Sequence, residues 1–467
     1  MFFAQAAPFV AAFVEELNRT IKAHKPGHGL SATQRGWLSF RIMGILATNS
    51  VCWARFERAG LGRYSMAALC WVFCHAKIPW GLLLQRSVRM MLARYGIREG
   101  SLLLDDTDKK RAKSTRRIGH VHKIKDKPSG GFVMGQEIVF LVLATEKNTF
   151  PVGFAFYMPD PALREWNRRR KRLKKAGIKN IPAKPPLNEK YPTKQQIGLR
   201  LLDEFKQNHP DIRVRCIVAD ALYGSKDFVG KASFTFGGVQ VISQIKSDQN
   251  LRFRGKILTA QAFFSTYASI TEILAIRGGD QVRATVASAR LHVCAHGVKR
   301  FVVALKYEGE EDYRYLVASD LTWTTTDILK AQTLRWLVEV FHEDWKQNEG
   351  WGKLTKQQGE EGSSKSLILS LLTDHCLLLH PEQTARIENK LPACTVGSLR
   401  ARVRVDFLFD LIHKMLASEN PKETFNQLNL KVKELFELQP SKKHMIGRDL
   451  GRLEPSPSLK YKAAKVA

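Results

Sequence analysis

Two apolar runs that end in aspartate constrain the fold of this chain most strongly. Three leucines at residues 102–104 precede Asp105 and Asp106, and residues 214–219 precede Asp220. A continuous apolar run is typical of a strand that is buried on both faces of a parallel sheet. Ligands of open α/β sheets bind at the ends of such strands. The two runs therefore predict an α/β core whose strand ends carry carboxylates, and the alternative is a pair of acidic turns.

The segments around these runs complete an α/β pattern. Residues 139–144 and 152–157 predict a β-hairpin, and residues 239–243 predict a fifth strand. Thr193 and Gln196 have the spacing of a capping box, which predicts a helix before the second apolar run. The order β-β-β-α-β-α-β followed by a further helix indicates an RNase-H-like core, with a mixed five-stranded sheet and flanking helices.

The two neighbouring acids of the first run point to opposite faces of the predicted strand, because side chains alternate along a strand. Asp106 shares a face with Leu102 and Leu104, and Asp105 takes the other face. Periodicity alone does not choose between the two acids as a site residue.

Residues 334–346 predict an amphipathic helix. Arg335, Glu339 and Lys346 lie on one stripe of this helix, and the opposite stripe is apolar and consists of Leu334, Leu337, Phe341 and Trp345. The apolar stripe can bury and fix the helix, which would hold one carboxylate between two cations. A surface row of salt bridges is the alternative. A capping box at residues 324–327 is predicted to begin this helix.

Changes of pattern along the chain predict five regions. Residues 1–97 indicate a helical DNA-binding domain, and a helical scaffold without DNA contacts is the alternative. Residues 98–247 and 326–385 are the two parts of the predicted RNase-H-like core. Residues 248–325 alternate apolar and polar side chains, which predicts an all-β insertion. Residues 386–467 are a helical C-terminal region with a basic tail, which its composition predicts to be disordered.

Net charge is the strongest signal in the composition. The chain has 74 Lys and Arg against 44 Asp and Glu, a net charge of +30 and a pI near 9.9. So basic a chain most often binds a polyanion, and nucleic acid is the first candidate, with charge for solubility as the alternative. One cationic run predicts contact with a phosphate backbone, with a solvated loop as the alternative, and includes Arg168, Arg169, Arg170, Lys171 and Arg172.

Cysteine usage and hydropathy indicate the compartment. The seven scattered cysteines argue for reduced thiols, and Cys70 and Cys74, one helical turn apart, favour core residues over a zinc site. The N-terminal apolar run lacks the basic flank of a signal peptide, and no later run is long enough to span a membrane. We therefore expect a cytoplasmic protein with access to the chromosome and no membrane partner.

Three carboxylates connect these observations. Asp106 and Asp220 are 114 residues apart, and Glu339 follows 119 residues later. Carboxylates on two strands and a helix suit hard divalent cations, which prefer oxygen ligands. Two such ions can activate a nucleophile and stabilise a leaving oxygen in phosphoryl transfer. The trio and the positive charge predict an RNase-H-like nuclease or transferase.

The helical motif resembles the signature of the DDE transposases of the bacterial insertion-sequence-four (IS-four) family. Arg335-x3-Glu339-x6-Lys346 is similar to the family pattern Tyr-x2-Arg-x3-Glu-x6-Lys. Gln332 stands where the family has Tyr, which puts any contact that depends on this Tyr in doubt. The carboxylate and both cations of the pattern are present.

The two strand motifs are also similar to those of this family. Residues 105–107, Asp-Asp-Thr, resemble the first-strand motif, in which the acid before Thr is catalytic. Residues 218–224 resemble the segment of the second Asp, and the family has a similar all-β insertion. The resemblance covers about residues 101–379.

The resemblance implies roles for the site residues. Asp106, Asp220 and Glu339 would be the catalytic residues and would bind two Mg²⁺ or Mn²⁺ ions. Arg335 and Lys346 would bind a DNA phosphate near the transposon end, and their charge would favour the ionised form of Glu339.

The resemblance also implies an activity, which is cut-and-paste transposition in bacteria, near the nucleoid. The enzyme would bind terminal inverted repeats as a homodimer, nick each end, pass through a DNA hairpin and join the ends to target DNA. The hairpin step uses a flipped base held by an aromatic residue, which the sequence does not place. Trp323, beside the helix cap, favours a hydrophobic staple, and Trp351 is the other candidate. A nuclease without strand transfer and an inactive DNA-binding relative are the alternatives.

Overall fold

The computed structural model describes residues 2–3, 5–111, 117–126, 129–178, 180–275, 280–352 and 357–438. The chain divides into two compact units, with the boundary between Leu416 and Ala417. The predicted basic tail lies outside the described residues.

The first 97 residues are helical, as predicted. Ser31 and Gln34 form a capping box at the start of the second helix, and the inward faces of these helices share one apolar core with the sheet. The five helices are α1 Pro8–His24, α2 Ala32–Thr48, α3 Trp53–Ala59, α4 Met66–His75 and α5 Trp80–Arg94.

The sheet begins with six strands, of which the structure confirms the five predicted and adds a short one, β2. The strands are β1 Glu99–Lys110, β2 His122–Lys125, β3 Phe132–Ala144, β4 Thr149–Tyr157, β5 Arg213–Ala219 and β6 Gln240–Ile245. Strand β1 lies between β3, to which it is antiparallel, and β5, to which it is parallel. This part of the sheet is therefore mixed, and β1 lies in the middle of these six strands.

The strands between residues 250 and 318 continue the same sheet. Strand β12 pairs antiparallel with β6, so one twelve-stranded sheet replaces the predicted five-stranded sheet. The prediction was wrong on this point because the β6–β12 pairing joins residues 70 to 76 positions apart, which no local pattern encodes. The strands are β7 Asn250–Phe253, β8 Lys256–Thr259, β9 Ile270–Ala275, β10 Gln281–Val293, β11 Val298–Tyr307 and β12 Arg314–Ala318.

In the described part of the chain, ten further α-helices follow α5 in sequence. Four of them precede β9, and these are α6 Pro161–Lys175, α7 Lys194–Asn208, α8 Lys226–Thr235 and α9 Ala260–Ser265. Five follow β12 in the first unit, and these are α10 Thr325–Thr333, α11 Trp336–Asn348, α12 Gly359–Leu378, α13 Pro381–Glu388 and α14 Val396–Leu416. In the second unit, α15 spans Pro421–Leu435, and none of its residues is buried.

Side-chain alternation along β1 divides the core into two layers, as predicted. Leu102 and Leu104 belong to the layer that also contains buried residues of α7 and the N-terminal helices. Leu103 belongs to the opposite layer, which contains Val338 and Trp345 of α11. A strand that is covered on both faces explains the uninterrupted apolar run in the sequence.

The structure corrects two boundaries. Strand β1 does not end at the acids but continues to Lys110, because it pairs with β3 as far as Gly135. The capping box of Thr324 begins α10 rather than the helix that carries Glu339. Between α10 and α11 the backbone tightens to i→i−3 hydrogen bonds, such as Arg335 N–H to Gln332 O at 3.1 Å.

One buried histidine joins α12 to two other elements. The ring of His375 contacts the Ser87 hydroxyl through Nδ1 at 2.8 Å and the Pro151 carbonyl through Nε2 at 2.9 Å. Burial lowers the pKa of His375 to about 4. His375 is therefore a structural group of the core.

Among the described residues, no single helix is long and apolar enough to cross a membrane, although the bent pair α4–α5 passes on combined length and composition.

We predict that His375 makes stability depend on pH. An unfolded histidine has a pKa near 6.5, so between about pH 6.5 and 4 the unfolded state binds one more proton at this site than the folded state. The free energy of unfolding should therefore fall with falling pH by up to about 1.4 kcal/mol per pH unit from this group. Urea unfolding of wild type and His375→Gln at several pH values measures the difference in slope. Parallel curves for the two proteins would remove His375 as a source of the pH dependence.

Candidate active site

One face of β1 points toward α11 and carries three polar side chains. Asp105, Thr107 and Lys109 share this face, because they occupy every second position of the strand. The Lys346 ammonium donates to the Thr107 hydroxyl at 2.5 Å, and the Lys109 ammonium donates to the Gly352 carbonyl after α11. The strand and the helix are therefore tied together along their polar faces.

Arg335 joins two acids across this interface. Its Nη2 lies 2.5 Å from Oε1 of Glu339, and its Nη1 lies 3.4 Å from Oδ2 of Asp105. Glu339 is one helical turn from Arg335 and lies in the first turn of α11, where the helix dipole favours a carboxylate. The guanidinium thus holds a strand acid and a helix acid, 234 residues apart in sequence, at one place.

The Asp105 carboxyl has an unusual protonation equilibrium. Burial raises its pKa to about 7, Arg335 opposes the rise, and the nearby acids Asp220 and Asp106 add to it. The side chain also accepts a hydrogen bond from the Asp106 amide at 2.8 Å. A nearby cation stabilises the ionised form of a buried acid that has acidic neighbours.

Asp220 follows β5 directly, at the same edge of the sheet. Its carbonyl accepts a hydrogen bond from the Ser243 hydroxyl of β6 at 2.8 Å. Gly224 lies against the Gln244 carbonyl so closely that a Cβ would overlap it, and its own carbonyl contacts Nε2 of His296 at 2.9 Å. The turn after Asp220 is therefore fixed by backbone contacts on two sides.

Asp106 points to the opposite face of β1, where another cation holds it. The Lys194 ammonium, at the start of α7, lies 2.6 Å from Oδ2 of Asp106 and 2.7 Å from Oε1 of Glu137. His122 contacts the other oxygen of Glu137 at 2.7 Å. Burial alone would raise the pKa of Glu137, but the hydrogen bonds from His122 and Lys194 lower it to about 2.

In this arrangement Asp105, rather than Asp106, contacts Arg335, which also contacts Glu339. The sequence did not indicate Lys194, Glu137 or His122 as neighbours of the acids. The available signal was the capping box at Thr193, which places Lys194 at the first position of a helix, where its ammonium can reach the strand ends.

The acids suit a divalent metal by their chemistry. Asp105, Asp220 and Glu339 offer only carboxylate oxygens, which Mg²⁺ and Mn²⁺ prefer. In the described part of the chain, no group of three or more His, Cys, Asp or Glu side chains already has the arrangement of a metal site. In this structure the positive group between Asp105 and Glu339 is the Arg335 guanidinium. The carboxylate oxygens of the two acids therefore fit a cation at this place.

A cavity of about 340 Å³ lies beside Arg335. Gln332, at the position of the family tyrosine, is buried there, and its Oε1 has no hydrogen-bond partner among the described residues. The cavity is mostly apolar, and two aromatic side chains, Tyr307 and Trp336, line it together with Arg314.

The two tryptophans named from the sequence lie elsewhere. Trp351 is fully buried and stacks on Trp345 at a ring distance of 5.2 Å, so it cannot receive a base without opening the core. Trp323 is partly buried against the same apolar layer.

The predicted cationic run is part of helix α6 rather than a loop. None of its residues is buried. Trp166 anchors the helix by donating to the Pro182 carbonyl at 2.8 Å, and Arg170 lies over the Trp166 ring. The helix therefore presents its cations, including Arg168, Arg169, Lys171 and Arg172, to solvent.

Comparison with known families identifies a match over part of the chain. No curated protein matches the chain. A family model described as the DDE superfamily endonuclease matches residues 28–262, which is just over half of the chain. The matched residues include the N-terminal helices from α2 onward, β1 with its acids, and Asp220, and they end within α9, before Glu339. The chain therefore belongs to the DDE superfamily endonucleases.

Proposed function

We propose that this DNA endonuclease is the transposase of a bacterial insertion sequence, similar to the IS-four family. The single observation that carries the proposal is the bridge of Arg335 between Asp105 and Glu339. It brings the helical Arg-x3-Glu motif to the strand that carries the first acid of a DDE enzyme. The proposal adds strand transfer to the nuclease activity that the family implies.

We assign the three catalytic carboxylates to Asp105, Asp220 and Glu339. The support for Asp105 is its position on the α11 face of β1, its contact with Arg335 and its electrostatic interaction with Asp220. The motif analogy favours Asp106, which is the alternative. The ion pair of Asp106 with Lys194, on the other face, is the argument against it.

The three acids would hold two Mg²⁺ or Mn²⁺ ions, which DDE endonucleases generally use. When bound, such ions supply activation of the attacking hydroxyl group and stabilisation of the leaving oxygen. A bound cation would compete with Arg335 for Asp105 and Glu339. The guanidinium would then be available to a DNA phosphate, for which its planar donors are suited.

Other cations would position the DNA. Lys346 lies on the same face of α11 as Glu339 and would bind a phosphate near the cut end. Helix α6 would contact the phosphate backbone at a distance from the reacting bond, because its cations are exposed and far outnumber its acids.

We further propose that strand transfer passes through a DNA hairpin. The cavity beside Arg335 supports this proposal, because its apolar walls and the rings of Tyr307 and Trp336 suit a flipped base. In this account, Gln332 stands at the position of the family tyrosine and offers an amide in its place.

The partners in this account are terminal inverted repeats and target DNA, bound by a homodimer that aligns two ends. The cytoplasm, with access to the nucleoid, is the corresponding location. A nuclease without strand transfer is the second candidate, because the family match alone supports cleavage.

The proposal predicts joined products, not cleavage alone. A duplex that carries both DNA ends flanking the coding region, incubated with the protein, Mg²⁺ and a target plasmid, should give excised ends and plasmid insertions. Gel analysis and sequencing of the junctions measure both. Cleavage with no junction would support the nuclease alternative.

The same assay distinguishes the two acids of β1. Asp105→Asn, Asp220→Asn and Glu339→Gln should each reduce cleavage by roughly 10³-fold or more, because each removes a carboxylate that stabilises the transition state. Asp106→Asn should retain most of the activity. It is the matched control, because it makes the same change at the next residue. If Asp106→Asn abolishes cleavage and Asp105→Asn does not, our assignment is wrong and the motif analogy is right.

We predict that α6 contributes to the salt dependence of DNA binding. Replacing the five cations at residues 168–172 by Gln should lower the slope of log K against log salt by up to about 0.9 for each phosphate that the helix no longer neutralises. Fluorescence anisotropy at several salt concentrations measures the slope. A control with Lys422, Lys431 and Lys433 of α15 changed to Gln removes exposed cations from another helix. Equal slopes for the α6 variant and wild type would show that α6 does not bind phosphate.

A further inference from the structure

The β7–β8 hairpin projects from the sheet with a narrow tip. Its two-residue turn is Arg254–Gly255, and both residues have positive φ, 47° and 80°, which is the geometry of a tight hairpin turn. Pairing of β7 with β10 covers only Leu251 and Arg252. Leu251 is buried in the insertion's apolar core and anchors the hairpin. Among the described residues, the tip beyond Arg252 therefore has no strand pairing with β10.

The tip combines positive charge with exposed apolar side chains. Arg252, Arg254 and Lys256 surround it, and residues 249–259 include no acid. Among the described residues, none of these three cations forms an ion pair. Three large apolar side chains at the tip are exposed to solvent, and these are Phe253 at 36%, Ile257 at 55% and Leu258 at 38%.

The base of the hairpin is connected to the turn that follows Asp220. The Cys294 amide donates to the Asn250 carbonyl at 3.0 Å, which fixes β7 to the β10–β11 turn. His296 of the same turn contacts the Gly224 carbonyl at 2.9 Å. Two hydrogen bonds, one from the Cys294 backbone and one from the His296 ring, thus link the hairpin to the segment that carries Asp220.

We propose that this hairpin is a wedge for duplex DNA next to the cleavage site. The cations would contact phosphates on both sides of a groove, and Phe253 would insert between two base pairs and unstack them. Apolar wedges flanked by cations act in this way in proteins that kink DNA. This inference rests on the proposed function in that it takes DNA as the substrate, and it adds a bend beside the cut.

Charge argues for DNA over a second copy of the chain. Two copies that met at this tip would bring six cations together with no acid of either tip between them, which like-charge repulsion opposes. A polyanion neutralises the same cations, including Arg254, which lies over the Phe253 ring. The Phe253 ring packs on Phe263 at 5.3 Å, and its exposed part would enter the base step.

Base unstacking and DNA bending test this inference. The probes are duplexes from the flanking DNA, with 2-aminopurine at successive positions for unstacking and with dyes at both ends for bending. Wild type should raise 2-aminopurine fluorescence at one step and shorten the end-to-end distance. Phe253→Ala should abolish both signals and bind about tenfold more weakly, because a base can no longer stack on an aromatic ring at this position.

Two further variants separate the parts of the inference. Arg254→Gln with Lys256→Gln should keep the unstacking signal at low salt and lower the salt slope by up to about 1.8, because each neutralised phosphate adds about 0.9 to the slope. Phe234→Ala is the matched control, because Phe234 of α8 is 86% exposed and outside the hairpin. It should behave as wild type, and unfolding temperatures should confirm that all variants fold.

The possible failures are distinguishable. If Phe253→Ala gives the same unstacking and bending as Phe234→Ala, the wedge is wrong, while cleavage by wild type would leave the proposed function intact. If Phe253→Ala changes the oligomeric state and not the DNA signals, the tip binds a second copy and the inference is overturned. If wild type binds no duplex DNA, the wedge and the proposed function both fail.

Discussion

The contact of Arg335 with Asp105 and Glu339 is the interaction on which the rest of the site depends. Acids that lie close together repel one another, and Asp105 shows this through a pKa that burial and neighbouring acids raise to about 7. A guanidinium between two of them keeps the strand and the helix in register. Because Arg335 and Glu339 are one helical turn apart at the start of α11 and Asp105 belongs to β1, Arg335 connects the two parts of the core.

The continuous sheet explains how these parts remain in place. Residues 250–318 separate Asp220 from Glu339, but their strands extend the core sheet through the β6–β12 pairing. The chain therefore returns to the core on a rigid support and enters α10 and α11 directly. On the other face of β1, Lys194 pairs with Asp106 and Glu137, so that each of the two neighbouring acids has its own cation.

Local patterns predicted the elements of this site, and distant contacts decided its details. The apolar runs before Asp105 and Asp220 predicted β1 and β5, and the capping box at Thr193 predicted the start of α7. The partner of each acid was not predictable, because Arg335 and Lys194 are 230 and 88 residues from Asp105 and Asp106. The break between α10 and α11 was also missed, because the apolar spacing continues through it. Alternation along the strand thus placed the two acids on opposite faces, and only the packed structure showed which face meets α11.

The central claim is that Asp105, Asp220 and Glu339 gather around divalent ions at a DNA end. A crystal structure of the protein with a cleaved DNA end and Mn²⁺, with the ions located by anomalous scattering, tests it directly. We predict anomalous peaks bounded by these three carboxylates, with Asp106 still paired to Lys194. Peaks on the Asp106 side of β1, or no peak near Glu339, would contradict the account.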